Sequence, residues 1–213
     1  MSDSSDCCCS CPCDVREADT RHGRRLEYFT LAWNVTEAAV SIAAGLIAGS
    51  VALVGFGADA VIESLSGLVL LWRLQTHEHD ERREKLALKW VGICFLVLAV
   101  YVATDASYSL YRHEAPETSV VGIVIAALSL AVMPLLARAK RRVAGRLKSA
   151  ALAADSRQTD LCAYLSAILL GGLVLNAAFG WWWADSVAAL IMVPIIVREG
   201  LQALRGEICA DCH

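Results

Sequence analysis

The feature that most constrains this chain is an almost unbroken apolar run over residues 28–71. As one α-helix, this run would be roughly 66 Å long, about twice the hydrocarbon thickness of a bilayer. It must therefore turn back on itself, and the Ala-Gly-Ser segment at residues 48–50 offers small residues for the turn. The run accordingly predicts two antiparallel membrane spans, over residues 28–49 and 50–71.

Four further apolar runs follow, separated by polar or aromatic segments. They cover residues 90–111, 119–136, 150–179 and 184–204. With 57% hydrophobic residues among 213, the chain is more apolar than a soluble domain of this length. The sequence therefore predicts an all-α integral membrane protein, a bundle of six transmembrane helices. We expect three parts: a Cys-rich tail (1–26), the membrane domain (27–205) and a short second tail (206–213).

Basic residues are concentrated on one face of the predicted bundle. They fall in residues 16–25, 73–89, 138–148 and 198–205, whereas Arg112 alone lies on the other face. Because Lys and Arg are enriched in cytoplasmic segments, this asymmetry predicts that both termini are cytoplasmic. We expect a multi-pass protein of the cell membrane (inner or plasma), surrounded by lipid and without a nucleic acid partner.

Two acidic side chains lie in the middle of the second span. Asp59 and Glu63 are four residues apart, so in a helix they share one face, with Cβ atoms roughly 6 Å apart. An ionised side chain at this depth is costly unless it is paired, hydrated or bound to a cation. The pair therefore predicts a site that holds either protons or a metal ion. The alternative is an ion pair with a basic group on another helix, for which the sequence offers only Arg157, toward one end of its span.

The fifth span carries a second set of candidate ligands. Asp155, Gln158 and Cys162 have i, i+3 and i+7 spacing and so share a helical face, whereas Asp160 points away from Gln158 and Cys162. Each has an alternative role. Cys162 can be ordinary core packing, and Gln158 can form an interhelical hydrogen bond. Asp155 can be a gate residue or the partner of Arg157.

The second and fifth spans form one site if they pack side by side. Antiparallel packing would bring Asp59 level with Cys162 and Glu63 level with Gln158. Two carboxylates, a thiolate and an amide oxygen then complete a four-coordinate shell for a metal ion. Asp155 lies one turn deeper as a further candidate ligand.

Other polar residues also fall inside predicted spans. They are Asn34 and Glu37 in the first span, Asp105 in the third and Asp160 in the fifth. Intramembrane ionisable residues are rare and commonly mark ion pathways or proton relays. We expect these four residues to line a hydrated pathway or proton route, with an interhelical hydrogen bond as the alternative for Glu37.

Cysteine is concentrated in the two tails. The first tail carries Cys7, Cys8, Cys9, Cys11 and Cys13, and the second carries Cys209, Cys212 and His213. Thiols in a cytoplasmic tail stay reduced, and thiolate and imidazole ligands suit Zn²⁺, Cd²⁺ and similar ions. The tails therefore predict metal capture at the cytoplasmic face, with incidental thiols as the alternative.

Three segments resemble signatures of the cation diffusion facilitator family. Residues 49–64 resemble its second-helix signature, and Asp59 and Glu63 fall on the metal-binding pair of that signature. Residues 154–162 resemble its fifth-helix segment, although Gln158 and Cys162 stand where the family pattern has His and Asp. Residues 184–190 are similar to the opening of its sixth helix.

The resemblance covers about residues 26–205 and implies a secondary transporter that exports a divalent transition-metal ion in exchange for protons. It also implies six helices, cytoplasmic termini and a homodimer. We expect a short, divergent member without the cytoplasmic C-terminal domain of many relatives. It would be no enzyme and carry no cofactor, with the metal ion and protons as its substrates. Because Cys162 replaces a harder carboxylate, Zn²⁺ is favoured, with Cd²⁺ or another thiophilic ion as competitor.

Two other functions stay open at this point. A membrane-embedded thiol oxidoreductase could use the C-x-x-C pair Cys209 and Cys212, but it would need a quinone or nucleotide site and outward-facing cysteines. A metal-responsive membrane protein that does not transport is the other alternative. Flux measurements separate these functions, because Asp59 is essential only to transport and Cys209 only to thiol oxidation.

Overall fold

The computed structural model describes residues 11–75, 81–113, 116–147 and 150–205. Within these residues, all regular secondary structure is α-helical. The helices are α1 (Cys11–Ala48), α2 (Val51–Gln75), α3 (Glu81–Arg112), α4 (Val120–Leu147), α5 (Ala150–Phe179) and α6 (Ala184–Arg205). Each of these six helices is long and apolar enough to cross a membrane. The predicted all-α, six-helix, multi-pass architecture is therefore confirmed.

Several helices extend beyond the apolar runs that predict them. α1 begins at Cys11, within the region expected to be a tail, and α4 continues through the basic segment to Leu147. α2 ends at Gln75 and α3 begins at Glu81, so the charged segment between these spans consists largely of helix ends. The extensions are rich in Arg, Glu, Lys and Ala, which favour helix, so the helices continue after their apolar stretches end.

The turn between α1 and α2 lies where the small residues predict it. Gly49 has a φ of 68°, a conformation that ends α1 at Ala48 and favours glycine. Ser50 caps α2, because its Oγ accepts a hydrogen bond from the Leu53 N–H at 3.1 Å. The same hydroxyl donates to Asp185 Oδ1 at 2.5 Å, which ties the start of α2 to the start of α6.

α2 is the central helix of the bundle. It contacts α1, α3, α5 and α6, and its apolar stretch is the most buried of the six in the described part of the chain. Around it, the closest pairs are α1 with α2, α4 with α5, and α3 with α6. The α3–α6 pair meets backbone to backbone, since a Cβ on Gly92 would lie 2.8 Å from the Gly200 carbonyl oxygen. The face of α2 that carries Asp59 and Glu63 is therefore enclosed by protein.

The two ends of the bundle differ in chemistry. The tail end contains the beginnings of α1, α3 and α5 and the last turns of α2, α4 and α6, and most of the basic residues lie there. The turn end contains the α1–α2, α3–α4 and α5–α6 connections. There the Trp181 and Trp183 rings stack with centroids 5.1 Å apart, and the Arg112 guanidinium lies 5.0 Å from the Tyr108 ring centroid. Aromatic residues of this kind are typical of a membrane interface.

Candidate metal site

The carboxylates of α2 and the thiol of α5 meet in the interior of the bundle. One ligand atom each from Asp59, Glu63 and Cys162 lies within 4.8 Å of the other two. These side chains are 6%, 4% and 2% exposed. Among the residues that the structure describes, no other set of three His, Cys, Asp or Glu side chains has such spacing. Two carboxylates and a thiolate at this separation can bind a divalent transition-metal ion.

The position of this cluster follows from the packing of α2. Ala52, Leu53, Phe56 and Ala60 are fully buried on this helix and bring its surface against several neighbours at once. The acidic pair lies in the same stretch, one helical turn apart, and points toward α5. Apolar burial therefore holds both carboxylates where water is excluded, and their charge must be balanced locally.

Several polar atoms beside the cluster have no hydrogen-bond partner among the described residues. They are both carboxylate oxygens of Glu63, both of Glu37, and the oxygen and nitrogen of the Asn34 amide. Glu63 lies beside Asn34 and Cys162, and Glu37 lies within electrostatic range of Glu63. Leaving a buried polar group unsatisfied costs about 1–3 kcal/mol. Buried polar atoms without partners, grouped around acidic side chains, are typical of a cation-binding site.

Gln158 lies one turn closer to the tail end than the cluster. Its Oε1 accepts a hydrogen bond from Ser66 Oγ of α2 at 3.2 Å. Asp59 lies with Cys162 as expected, but Glu63 also lies with Cys162, and Gln158 faces Ser66 and not Glu63. In this structure Gln158 forms the interhelical hydrogen bond that was its alternative role.

Asp155 belongs to a buried ion network that the sequence did not predict. Lys140 Nζ of α4 lies 2.5 Å from Asp155 Oδ2 and 3.1 Å from Glu27 Oε1 of α1. It also lies 3.4 Å from Thr159 Oγ1. The side chains of Lys140 and Glu27 are 0% exposed. The expectation that Arg157 is the only basic group available inside the other spans was therefore wrong, because Lys140 is a fully buried cation within the α4 span.

The remaining predicted pathway residues are dispersed. Asp160 pairs with Arg141 at 2.7 Å on the surface, with side chains 29% and 53% exposed. Asp105 is half-buried on α3 beside Tyr101. Glu199 of α6, which the sequence did not single out, lies within electrostatic range of Asp59. Only Asn34 and Glu37, among the four predicted pathway residues, therefore lie beside the cluster.

The tail cysteines fall largely outside the described residues. Cys7, Cys8, Cys9, Cys209, Cys212 and His213 all lie there. Cys11 and Cys13 belong to the first turn of α1, and their side chains lie outside the described part of the structure. Metal capture by the tails and thiol chemistry at the C-x-x-C pair stay predictions.

Comparison with known proteins places this geometry in a family context. The family model described as the cation efflux transmembrane domain matches residues 28–208. Transmembrane protein 163 of Xenopus laevis is 27% identical over 157 residues, which is 72% of this chain and 56% of the relative. The cation-efflux pump FieF of Shewanella oneidensis is 22% identical over 179 residues, 80% of this chain and 60% of the relative. An uncharacterized transporter of Methanocaldococcus jannaschii is 25% identical over 175 residues, 78% of this chain and 61% of the relative.

Proposed function

The chain belongs to the cation efflux family, and we propose that it is a secondary-active transporter that exports a divalent transition-metal ion from the cytoplasm in exchange for protons. The observation that carries this proposal is the buried cluster of Asp59, Glu63 and Cys162 at the centre of the bundle. The cluster is too costly to keep charged without a cation, and it is built from groups that bind either a metal ion or protons.

The ligand chemistry supports Zn²⁺ as the substrate, with Cd²⁺ as a competitor. Carboxylates and a thiolate together form a borderline ligand set, harder than a site made of thiolates alone and softer than one made of carboxylates. The thiolate of Cys162 selects against Mg²⁺ and Ca²⁺, which prefer shells made only of oxygen. With all three groups deprotonated, the cluster carries more than enough negative charge to balance one divalent ion.

Proton coupling follows from the requirement that ligands lose their protons before they bind a metal ion. When the cluster faces the cytoplasm, a metal ion displaces protons from Asp59, Glu63 and Cys162. When it faces the other side, protons compete for the same atoms and release the ion. The protonated cluster is neutral, so its return through the apolar bundle avoids the cost of bare charges. An inward proton gradient then drives export.

Access from the tail end requires a rearrangement near the Lys140 network. We propose that the tail end is cytoplasmic, in keeping with its basic residues. The ion pairs of Lys140 with Glu27 and Asp155 hold α1, α4 and α5 together on the tail side of the cluster. To open the cluster toward the cytoplasm, these helices must therefore move apart from α2 or from each other. A homodimer stays a prediction.

The test is metal flux in proteoliposomes that contain the purified full chain. Zn²⁺ influx is followed with a fluorescent chelator and proton movement with a pH-sensitive dye inside the same vesicles. Wild-type protein should move protons opposite to Zn²⁺, and Asp59→Ala should lower both signals to the level of empty vesicles. Glu117→Ala, which removes an exposed acid at the turn end, is the matched control and should transport normally.

Two results would contradict the proposal. Asp59→Ala or Glu63→Ala could transport Zn²⁺ at the wild-type rate, which would mean that the cluster is not the substrate site. Alternatively, Zn²⁺ could move without any change in internal pH, which would mean that protons are not the coupled ion.

A further inference from the structure

We infer that Asn34 of α1 supplies the fourth ligand to the metal ion, so that the site is formed by α1, α2 and α5 together. This inference rests on the proposed function, because it concerns the shell of the same ion. It replaces Gln158, the fourth ligand that the sequence suggested, with a side chain from a helix that carries none of the sequence signatures.

The packing of α1 against α2 places Asn34 at the level of Glu63. A Cβ on Gly57 would lie 2.7 Å from the Ile42 side chain, and a Cβ on Gly67 would lie 3.3 Å from Leu31. These close approaches fix the antiparallel register of the two helices. Asn34 is one turn from Leu31, and Glu63 is one turn from Gly67 in the same direction, so the two side chains meet. Glu63 accordingly lies beside Asn34.

The Asn34 side chain is buried without any compensation from the described residues. It is 0% exposed, and neither its Oδ1 nor its Nδ2 has a hydrogen-bond partner there. A buried amide without partners is unfavourable, and an apolar side chain of the same shape avoids that cost. Oδ1 therefore lacks a partner among the described residues, and a cation bound to it would supply one.

Gln158 is the competing candidate, and its surroundings differ. Its Oε1 already accepts a hydrogen bond from Ser66 Oγ, one turn away from the cluster, and its side chain is only half-buried. To reach the ion, Gln158 must give up that bond, whereas Asn34 gives up none. The amide that is free to bind is therefore the one on α1.

The neighbours of Asn34 also favour the orientation that ligation requires. An amide that binds a cation through Oδ1 is left with Nδ2 as a donor. Glu37 lies one turn along the same face of α1, and both of its carboxylate oxygens are buried and unpartnered. The carboxylates of Glu37 and Glu63 are therefore the acceptors at hand for Nδ2. The resulting shell has three oxygen ligands and one sulfur ligand, which suits borderline divalent ions such as Zn²⁺.

The experiment measures Zn²⁺ affinity of the full chain in lipid nanodiscs by competition with a chelating dye. Asn34→Leu should weaken binding at least about tenfold, the lower end of what even an outer-shell partner contributes to a metal site. Asn34→Asp keeps an oxygen ligand and should retain the wild-type affinity or exceed it. Gln158→Leu, the matched loss of an amide one turn away, should stay within about twofold of wild type.

A second readout separates ligation from a structural role. Asn34→Leu should leave the metal-free protein as stable as wild type, or raise its melting temperature, because an unpartnered buried amide is removed. With Co²⁺ as the probe, the Cys162 thiolate-to-metal absorption band should persist in this variant while the ligand-field bands shift.

The outcomes distinguish this inference from the proposed function. Wild-type Zn²⁺ affinity in Asn34→Leu overturns the inference, and so does equal weakening in Asn34→Leu and Asn34→Asp, because the oxygen ligand would then not matter. In both cases the proposed function stands as long as Asp59→Ala abolishes binding. If Asp59→Ala binds Zn²⁺ as wild type does, the site itself is wrong and the inference falls with it.

Discussion

Replacing Lys140 with Met should be among the most destabilising single changes in this protein. The substitution keeps a long, flexible side chain of similar volume, so it removes the charge without opening a large cavity. It leaves the carboxylates of Glu27 and Asp155 buried without the cation that lies 3.1 Å and 2.5 Å from them. The effect therefore reports on the ion network and not on packing.

The magnitude follows from the burial of the network. At 3.1 Å and an effective dielectric constant of about 20, the attraction between Lys140 and Glu27 is about 5 kcal/mol before desolvation is counted. Removing one partner of a buried ion pair typically costs about 3–5 kcal/mol, because the other partner is left uncompensated. Lys140 leaves two carboxylates behind. We therefore expect a loss of about 3–5 kcal/mol, a large share of a typical stability of about 5–15 kcal/mol.

The assay is equilibrium unfolding in detergent, followed by the fluorescence of the six tryptophans. Arg141→Met is the matched control, because Arg141 is the next residue and also pairs with an acid of α5. Its side chain is 53% exposed and that of Asp160 is 29% exposed, so breaking this pair should cost about 0–1 kcal/mol.

Similar costs for Lys140→Met and Arg141→Met, within about 1 kcal/mol of each other, would refute this reasoning. A double variant tests the same point from the other side. Adding Asp155→Asn to Lys140→Met removes one of the abandoned charges and should recover part of the lost stability, whereas Asp155→Asn alone should destabilise. Additive effects of the two substitutions would mean that their side chains do not form an energetically coupled pair.

Four further changes test other parts of the structure. Cys162→Ser should weaken Cd²⁺ binding at least about tenfold more than Zn²⁺ binding in a competition titration, because the sulfur ligand matters most to the softer ion. Gly92→Ala should destabilise by about 1–3 kcal/mol, because its Cβ would lie 2.8 Å from the Gly200 carbonyl oxygen. Gly145→Ala, with nothing within 4 Å of its Cβ, should instead stabilise by up to about 1 kcal/mol in the same unfolding assay. Ser50→Ala removes the cap of α2 and its link to α6, and should lower the free energy of unfolding by about 1–2 kcal/mol.

The number and order of the helices could be predicted because membrane spans obey a simple length rule. An apolar run twice the thickness of a bilayer must turn, and the small residues at 48–50 mark the place at which Gly49 has its positive φ. Helix ends could not be predicted as well. Beyond the hydrocarbon layer, good helix formers continue a helix without any change in hydropathy, as α4 does through its basic segment to Leu147.

The candidate site shows which kind of information the sequence lacks. Helical periodicity assigns Gln158 and Cys162 to one face of α5, but it repeats every turn and so does not say which of them is level with Glu63. The level depends on how closely the helix backbones approach, which the small residues at each crossing decide. The same argument applies to Asn34. The sequence indicates which face of α1 carries it, but the contacts at Gly57 and Gly67 decide which residue of α2 lies beside it.

Lys140 illustrates a signal that was present but hidden. It lies in a basic segment that is typical of a solvated surface, yet it continues the buried stripe of α4 that contains Ser129, Met133, Leu136 and Ala137.

The position of Lys140 also affects the metal site. A fixed cation 2.5 Å from Asp155 neutralises that carboxylate and repels a second cation, so Asp155 cannot be a strong ligand while the pair is intact. Lys140 therefore limits the metal site on its tail side, and the ligand shell must be completed from the level of Cys162, where Asn34 lies beside Glu63.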